Sequence, residues 1–266
     1  MAKGTKLARR RPVALTIAGS DNSAGAGVQA DLKTFSHFGC YGLTAVTCVV
    51  AEVPGQVSAI QAIKPGIVAA QIALSFQAFP VGAVKTGMLY STAIIETVAE
   101  ILGSKKTNLV IDPVMVASSG DPLLKKSAVA AYQKLLFPLA MLVTPNLDEL
   151  QILAGRDIRN LTEMKEAGHL LVEKYGCAFL LKGGHLRGKK AVDFLATVNG
   201  FEEFAAPFVR GVETHGTGCT YSAAVAANLA LGRSLSESVA IAKDYITAAI
   251  TGHLRWGKTC ALEHFP

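Results

Sequence analysis

The sequence has few cysteines, little charge and no long apolar run, and each shortage excludes a class of protein. The five cysteines among 266 residues show no Cys-x-x-Cys spacing and leave an odd number, which is typical of a reducing compartment rather than a disulfide framework. No apolar run approaches the roughly 20 residues that cross a bilayer. Charged residues make up 17% and hydrophobic residues 50%, which excludes a disordered chain. We therefore expect a globular cytoplasmic protein with no membrane partner.

The net charge of +6 does not by itself indicate a nucleic-acid partner. Part of the excess lies in residues 1–12, which are rich in Lys and Arg and precede an apolar stretch too short for a signal peptide. We interpret residues 1–12 as a solvated basic tail. The other Lys and Arg residues form no long block, so we expect no nucleic-acid binding.

Short apolar runs alternate with amphipathic stretches from residue 13 onward. This rhythm predicts an α/β domain with a mainly parallel sheet and helices on both faces. The predicted strands are residues 13–18, 44–50, 82–86, 109–112, 141–144 and 178–181. The predicted helices are residues 27–37, 67–76, 92–102, 127–136, 162–175, 218–231 and 234–253. No linker or repeat interrupts the pattern, so residues 13–266 form one predicted domain, with its ligands outside the carboxyl ends of the strands.

The first glycine-rich segment, residues 19–27, lies between a predicted strand and a predicted helix. Its Gly-x-Gly-x-x-Ala pattern is similar to a dinucleotide-binding fingerprint, and Glu52 lies at about the distance of a ribose-binding acid. In that fingerprint the first glycine ends the strand directly, whereas six residues separate the predicted strand from Gly25 here. The segment is therefore either a different ligand loop or a plain connection.

The second segment, residues 183–190, has the spacing of a P-loop but not its chemistry. Lys190 stands where Ser or Thr would bind magnesium, and no good helix follows Lys189, so we exclude a P-loop. Lys182 places a cation at the carboxyl end of a predicted strand. It is either a site residue or an ordinary exposed lysine.

The third segment, residues 214–224, leads into an alanine-rich predicted helix. Its small residues let a ligand approach the backbone, and the free N–H groups of the helix start point outward with the positive end of the dipole. This geometry predicts an anion hole suited to a phosphoryl group in flight. The alternative is a glycine-assisted cap with Thr217 or Thr220 as the capping residue.

Cys219 lies in the first turn of that predicted helix. The helix dipole there is expected to lower the pKa of a thiol and favour the thiolate. Cys219 is either a base that takes the proton of a substrate alcohol or a small buried hydrophobic residue.

Acidic motifs beside predicted strands and helices suit magnesium, which prefers oxygen ligands such as one or two carboxylates with phosphates and water. Asp112 closes a predicted strand, and Asn146 and Glu149 lie three residues apart on one face of a helix start. Glu149 either binds magnesium through water or forms a capping box with Asn146. Asp31, near the start of the first predicted helix, complements at least the dipole of that helix.

In this order, the motifs resemble those of the ribokinase-like superfamily and are most similar to hydroxymethylpyrimidine/phosphomethylpyrimidine kinases of thiamin biosynthesis. The resemblance covers nearly the whole chain. It is carried by residues 16–21, 25–35, 85–89, 112–115, 119–120, 144–149, 182–185 and 214–220. It implies a three-layer α/β/α fold, a homodimer, and an adenine pocket against the C-terminal helices.

The resemblance also implies which residues bind the substrate. The pyrimidine pocket would be lined by Gly19, Ala26, Val50, Glu52 and Met88. Glu52 would bind ring nitrogens, and Asp31 would support the loop at the edge of this substrate site.

For the phosphates, the resemblance implies a second set of residues. Asp112 and Glu149 would organise Mg²⁺, with Asn146 beside them, and Lys182 would contact the nucleotide phosphates. The anion hole would consist of Gly216, Thr217, Gly218 and Cys219, with Thr214 as a further phosphate contact. Cys219 would then take the place of the aspartate base of related sugar kinases.

The implied reaction is in-line transfer of the ATP γ-phosphoryl group, with Mg²⁺, to 4-amino-5-hydroxymethyl-2-methylpyrimidine and then to its monophosphate. Pyridoxal kinase activity is the main alternative, since both substrates are flat rings with a hydroxymethyl group. A non-catalytic ligand sensor would predict damage to the anion hole or the acids, and both are intact. Asn22, Ala24 and the turn 53–55 depart from the family pattern, which alters the loops beside the substrate site.

Overall fold

The computed structural model describes residues 10–115, 126–184, 190–212 and 215–266. Its first half contains β1 (Val13–Asp21), α1 (Gly27–His37), β2 (Tyr41–Val53), β3 (Gln56–Ala62), α2 (Pro65–Ala78), β4 (Val81–Thr86), α3 (Thr92–Leu102) and β5 (Asn108–Ile111). Its second half contains α4 (Lys126–Ala131), β6 (Leu142–Val143), α5 (Leu147–Ala154), α6 (Leu161–Tyr175), β7 (Ala178–Lys182), β8 (Lys190–Thr197), β9 (Gly200–Pro207), α7 (Thr217–Ala230), α8 (Leu235–Thr251), β10 (Leu254–Trp256) and β11 (Thr259–Ala261).

Within the described residues, the main sheet has nine strands in the order β3-β2-β1-β4-β5-β6-β7-β8-β9. The six strands from β2 to β7 in this order are parallel. The edge strands β3 and β9, and β8 beside β9, are antiparallel to their neighbours. Strand β1 is buried along almost its whole length, as expected for a parallel strand that is covered on both faces. Strands β10 and β11 form a separate hairpin.

Two hydrophobic cores lie on opposite faces of the main sheet. One packs α2, α3, α4, α5 and α6 against the sheet, and the other packs α1, α7 and α8. Four alanines of α7, at positions 223, 224, 226 and 227, are completely buried, and such small side chains let a helix lie close to its neighbours. The three-layer α/β/α arrangement is confirmed.

The predicted elements correspond to the core of the fold, with different ends. The predicted helix 127–136 is α only to Ala131 and continues as a π-helical turn, Tyr132–Leu136. The predicted strand 109–112 ends at Ile111, which leaves Asp112 just beyond it. Strands β3, β8 and β9 were not predicted. The edge strands β3 and β9 are largely exposed and lack a continuous apolar run, and Asp193 interrupts the apolar residues of β8.

Parts of the predicted motifs lie outside the described residues. These parts are residues 1–9 of the predicted tail, residues 119–120, His185 and Thr214. In the part of the chain that the structure describes, no helix is long and apolar enough to cross a membrane.

Candidate active site

A cavity of about 1020 Å³ lies at the carboxyl ends of the parallel strands. Its walls include the ends of β1, β2 and β7 and the residues that follow β4, β5 and β6, together with the start of α7. Parallel strands all end at the same edge of a sheet, so residues distant in sequence meet there. The predicted substrate and phosphate residues that line it are Gly19, Ala26, Val50, Glu52, Met88, Asp112, Asn146, Glu149, Lys182, Gly216, Thr217, Gly218 and Cys219.

Asp112 and Lys182, which both line this cavity, form an ion pair. Lys182 Nζ is 3.2 Å from Asp112 Oδ1, and both side chains are nearly buried, at 12% and 4% exposed. Thr144 Oγ1 donates to the same carboxylate oxygen at 3.3 Å, and Ser222 Oγ donates to Oδ2 at 3.4 Å. Burial opposes protonation of Lys182, but the charges of Asp112 and Glu149 raise the pKa of its ammonium group. Lys182 is therefore protonated and fixed in place by its ion pair with Asp112. The alternative of an ordinary exposed lysine is wrong.

Asn146 and Glu149 form the capping box of α5. Asn146 Oδ1 accepts from the Glu149 amide at 2.9 Å, and Glu149 Oε2 accepts from the Asn146 amide at 2.9 Å. Glu149 Oε1 accepts from the amide of Met115 at 3.1 Å. Burial, opposed by Lys182, raises the pKa of the Glu149 carboxyl to about 7. The capping-box alternative is confirmed, and Glu149 also faces the cavity.

The start of α7 has the backbone geometry of an anion hole. Its N-cap is Gly216, at φ +80°, and no described side chain caps the helix. Neither threonine of the alternative is a cap, since Thr220 Oγ1 instead lies 3.2 Å from His264 Nε2. A Cβ at Gly218 would lie 3.2 Å from Lys182 Nζ and 3.6 Å from Asp112 Oδ2. The uncapped amides and the Lys182 cation therefore border the same space.

Cys219 adjoins this anion hole, but its thiol is not activated as predicted. Burial raises the pKa of the Cys219 thiol to about 11, although the charge of Lys85 and the Gly27 amide favour the thiolate. The prediction of a lowered pKa is therefore wrong, because burial outweighs the nearby positive charge and the helix dipole.

The predicted substrate residues other than Asp31 also line the cavity. A Cβ at Gly19 would lie 2.8 Å from Cys48 Sγ, so a larger residue has no room there. The amide of Glu52 donates to Asn22 Oδ1 at 2.7 Å, which ties the β2–β3 hairpin to the 19–27 loop. Burial and the charge of Asp21 raise the pKa of the Glu52 carboxyl, against the effect of His215.

Asp31 lies beneath the cavity rather than at its edge. Its carboxylate is completely buried, 2.9 Å from Lys85 Nζ, and accepts from Thr16 Oγ1 at 2.5 Å. Asp31 is not among the residues that line the cavity. The prediction that it contributes to substrate binding at the loop edge is corrected, because both its oxygens face buried partners. The sequence signal for this pair was Lys85, a charged residue inside the apolar predicted strand 82–86.

Sequence reasoning missed other residues around the cavity. Lys243 of α8 lies 2.7 Å from Asp193 of β8, and Asp193 Oδ1 accepts from the Gly183 amide at 3.0 Å. The α8 residues Ile246, Thr247 and Ile250 continue this wall. No motif marks these positions, since they come together only through the tertiary packing of α8 against β9 and the neighbouring end of β8.

The described residues include no cluster of three or more His, Cys, Asp or Glu side chains placed to hold a metal ion. The two carboxylates at the cavity, Asp112 and Glu149, nevertheless suit magnesium, which keeps several waters and takes only one or two carboxylates when phosphates supply other ligands. Each oxygen of Glu149 accepts one backbone hydrogen bond and keeps a second lone pair for a bound water.

Comparison with known proteins gives one consistent result. Residues 21–263 match the family model of phosphomethylpyrimidine kinase. The chain is 40% identical over 254 residues to the hydroxymethylpyrimidine/phosphomethylpyrimidine kinase of Aquifex aeolicus, covering 95% of this chain and 100% of that protein. It is 44% identical over 244 residues to the Escherichia coli enzyme of the same name, covering 91% of each.

Solved structures of two kinds of vitamin kinase are similar to this fold. The Bacillus subtilis pyridoxal kinase in complex with ADP has a TM-score of 0.89 at 38% identity, covering 96% of this chain and 98% of that one. The phosphomethylpyrimidine kinase of Clostridium difficile has a TM-score of 0.80 at 41% identity, covering 90% and 99%.

Proposed function

The chain belongs to the phosphomethylpyrimidine kinase family, and we propose that it uses ATP to phosphorylate 4-amino-5-hydroxymethyl-2-methylpyrimidine and then its monophosphate in thiamin biosynthesis. The resemblance stated from the sequence is thereby confirmed. One observation carries the proposal: the Asp112–Lys182 pair and the uncapped amides of α7 border one space. That space opens to a cavity that also holds Glu52 and Met88.

The anion hole would stabilise the phosphoryl group during transfer. Its amides are held in place by the helix, so they donate to the phosphoryl oxygens without reorganisation. Lys182 adds a positive charge, and Asp112 keeps the ammonium group pointed at the same place. Most of the rate enhancement would then come from positioning and electrostatics, as is usual for phosphoryl transfer.

Cys219 is the proposed acceptor of the alcohol proton. As the substrate oxygen forms its bond to phosphorus, its proton would pass to the sulfur of the Cys219 thiolate, and ADP would leave on the far side. A pKa of about 11 makes this thiolate a strong base but leaves it a minor species at neutral pH.

Asp112 and Glu149 are the proposed magnesium site, with Asn146 positioned by the capping box. When bound, magnesium neutralises charge on the nucleotide phosphates. We place the adenine against α8, where Ile246, Thr247 and Ile250 offer a mainly apolar wall.

Three substrates assayed together test the proposed function. ATP consumption is measured with hydroxymethylpyrimidine, its monophosphate and pyridoxal. We expect the first two to be phosphorylated with a higher kcat/KM than pyridoxal. A clear preference for pyridoxal would favour the second candidate, which the likeness to the Bacillus subtilis pyridoxal kinase supports. No ATP consumption with any of the three would favour a ligand sensor.

The same assay tests the role of Cys219. Cys219→Ala should lower kcat far more than it changes the KM of either substrate, because Cys219 is proposed to accept the alcohol proton during the chemical step. Unchanged turnover would remove Cys219 from the mechanism.

We also propose a cytoplasmic homodimer in which β2 contributes to the interface. Tyr41, Val49 and Val53 of this strand are about half exposed, at 51%, 49% and 50%, and the ring of Tyr41 stacks on that of Phe79. Light scattering should give twice the chain mass, and Val53→Lys should shift the mass toward the monomer.

A further inference from the structure

Asp21 organises the 19–27 loop, a role that its sequence motif did not predict. Its Oδ1 accepts from the Ser23 amide at 2.7 Å. Its Oδ2 accepts from Ser23 Oγ at 2.9 Å and from the Ala26 amide at 2.8 Å. Asp21 is 1% exposed. One buried carboxylate thus fixes the loop that carries two of the residues proposed for the substrate side, Gly19 and Ala26.

The same carboxylate reaches a distant part of the chain. His215 Nε2 lies 3.2 Å from Asp21 Oδ2, across a separation of 194 residues. Burial opposes ionisation of Asp21, but hydrogen bonds from His215, Ser23 and Ala26 outweigh it and lower the pKa of the carboxyl group to about 2. An ionised carboxylate only accepts hydrogen bonds, so Nε2 of His215 carries the hydrogen. His215 directly precedes the anion hole.

Backbone contacts extend this link between the two segments. Gly216 at φ +80° faces the Gly25 carbonyl so closely that a Cβ at Gly216 would overlap it. A Cβ at Gly25 would lie 3.0 Å from His215 Cδ2. The 19–27 loop and the start of α7 are therefore in direct contact through the Asp21–His215 hydrogen bond and through the backbone at Gly25 and Gly216.

We propose that Asp21 and His215 are positioning residues that lock the substrate loop to the anion hole and so couple the binding of pyrimidine and nucleotide. The proposal rests on the proposed function. The attacking oxygen is placed by the loop and the phosphorus by the anion hole, so the pair sets the distance between the reacting atoms. A ligand that orders one side of this contact would order the other side as well, so the second ligand would lose less conformational entropy on binding, which is positive cooperativity.

Calorimetry of single and paired ligands tests this coupling. The affinity for hydroxymethylpyrimidine is measured with and without a non-hydrolysable ATP analogue. We expect the analogue to tighten pyrimidine binding on the order of tenfold in the wild-type protein. In His215→Ala this gain should fall below about twofold. His215 itself lines the cavity, so the affinity for each ligand alone is measured as well. It should fall by less than the coupling does, while kcat falls by about tenfold or more.

Matched variants separate positioning from general damage. His215→Gln keeps an N–H donor at a similar reach and should restore most of the coupling. His169→Ala removes an exposed histidine of α6 that pairs with Glu173 and should change nothing. Asp21→Asn also weakens the contacts of Asp21 with Ser23 and Ala26, so it should be the poorer single variant. Adding His215→Ala to it should cause no further loss, because the Asp21–His215 contact is already weakened.

Two results would overturn the proposal. The first is a His215→Ala variant in which the ATP analogue still tightens pyrimidine binding as in the wild-type protein and kcat is unchanged. The second is a double variant whose loss of kcat is the product of the losses in the two single variants. Failure of the proposed function is distinct from both, since it would appear as a wild-type protein that consumes no ATP with the pyrimidine.

Discussion

Lys182 Nζ lies 3.2 Å from Asp112 Oδ1, and Gly218 at the start of α7 leaves the space above this pair open. Asp112 follows β5 and Lys182 ends β7. The start of α7 lies close to both side chains. A phosphate bound by the α7 amides would therefore meet a fixed cation, and the absence of a side chain at position 218 is part of the site.

Gly218→Ala tests that space. The added methyl would lie 3.2 Å from Lys182 Nζ and 3.6 Å from Asp112 Oδ2, so it displaces the ammonium group and narrows the anion hole. We expect kcat/KM for ATP to fall by about 100-fold, the loss typical of a misplaced charge-stabilising donor. Thermal unfolding should change little, because alanine favours a helix. Steady-state kinetics measure this change, and a Gly218→Ala variant with the wild-type kcat/KM for ATP would contradict the account.

The reactivity of Cys219 should rise steeply with pH. Only a thiolate is alkylated by iodoacetamide, and the thiol pKa is about 11, so the rate should increase about tenfold per pH unit between pH 7 and 10. Mass spectrometry of the peptide that contains Cys219 measures this rate. A plateau near pH 8 would mean a thiol of low pKa, as the helix dipole alone predicted.

The buried Asp31–Lys85 pair should matter for stability more than for substrate contact. Lys85→Met leaves an unpaired carboxylate in the interior and should lower the free energy of unfolding by about 3–5 kcal/mol. Adding Asp31→Asn removes that charge and should recover much of the loss. Urea denaturation of both variants measures this, and a double variant as unstable as Lys85→Met would contradict the explanation.

Ala24 is a strained position in the 19–27 loop. Its φ is +59°, a left-handed conformation that costs a residue with a Cβ about 1–2 kcal/mol. Glycine at this position would remove that cost, but the larger conformational entropy of glycine in the unfolded chain offsets part of the gain. Ala24→Gly should therefore raise the free energy of unfolding by about 0.5–1 kcal/mol. The control Ala70→Gly, exposed within α2, should instead destabilise by about 1 kcal/mol. Thermal denaturation compares the two.

The alternation of apolar runs and amphipathic stretches predicted the central strands and most helices, because those elements are buried and their periodicity is strong. Strand β3 was missed for the opposite reason, since it is exposed at an edge. The short motifs also predicted most of the side chains that line the cavity, because many of them lie at or just after the carboxyl ends of strands, although Asp31 does not line it.

Contacts between distant motifs could not be predicted from local sequence. Asp31 and Lys85 are 54 residues apart. They meet because α1 packs against β1, where Thr16 donates to Asp31, and because β1 pairs with β4 so that Thr16 lies beside Lys85. His215 and Asp21 meet across two elements of different layers. The pKa of Cys219 depends on how deeply the layers bury it, which no local pattern records.

The position of a bound nucleotide tests the central claim most directly. In a crystal structure with a non-hydrolysable ATP analogue and Mg²⁺, the terminal phosphate should accept hydrogen bonds from the amides of residues 216–219 and lie within contact of Lys182. A terminal phosphate held elsewhere in the cavity, away from the start of α7, would contradict the account.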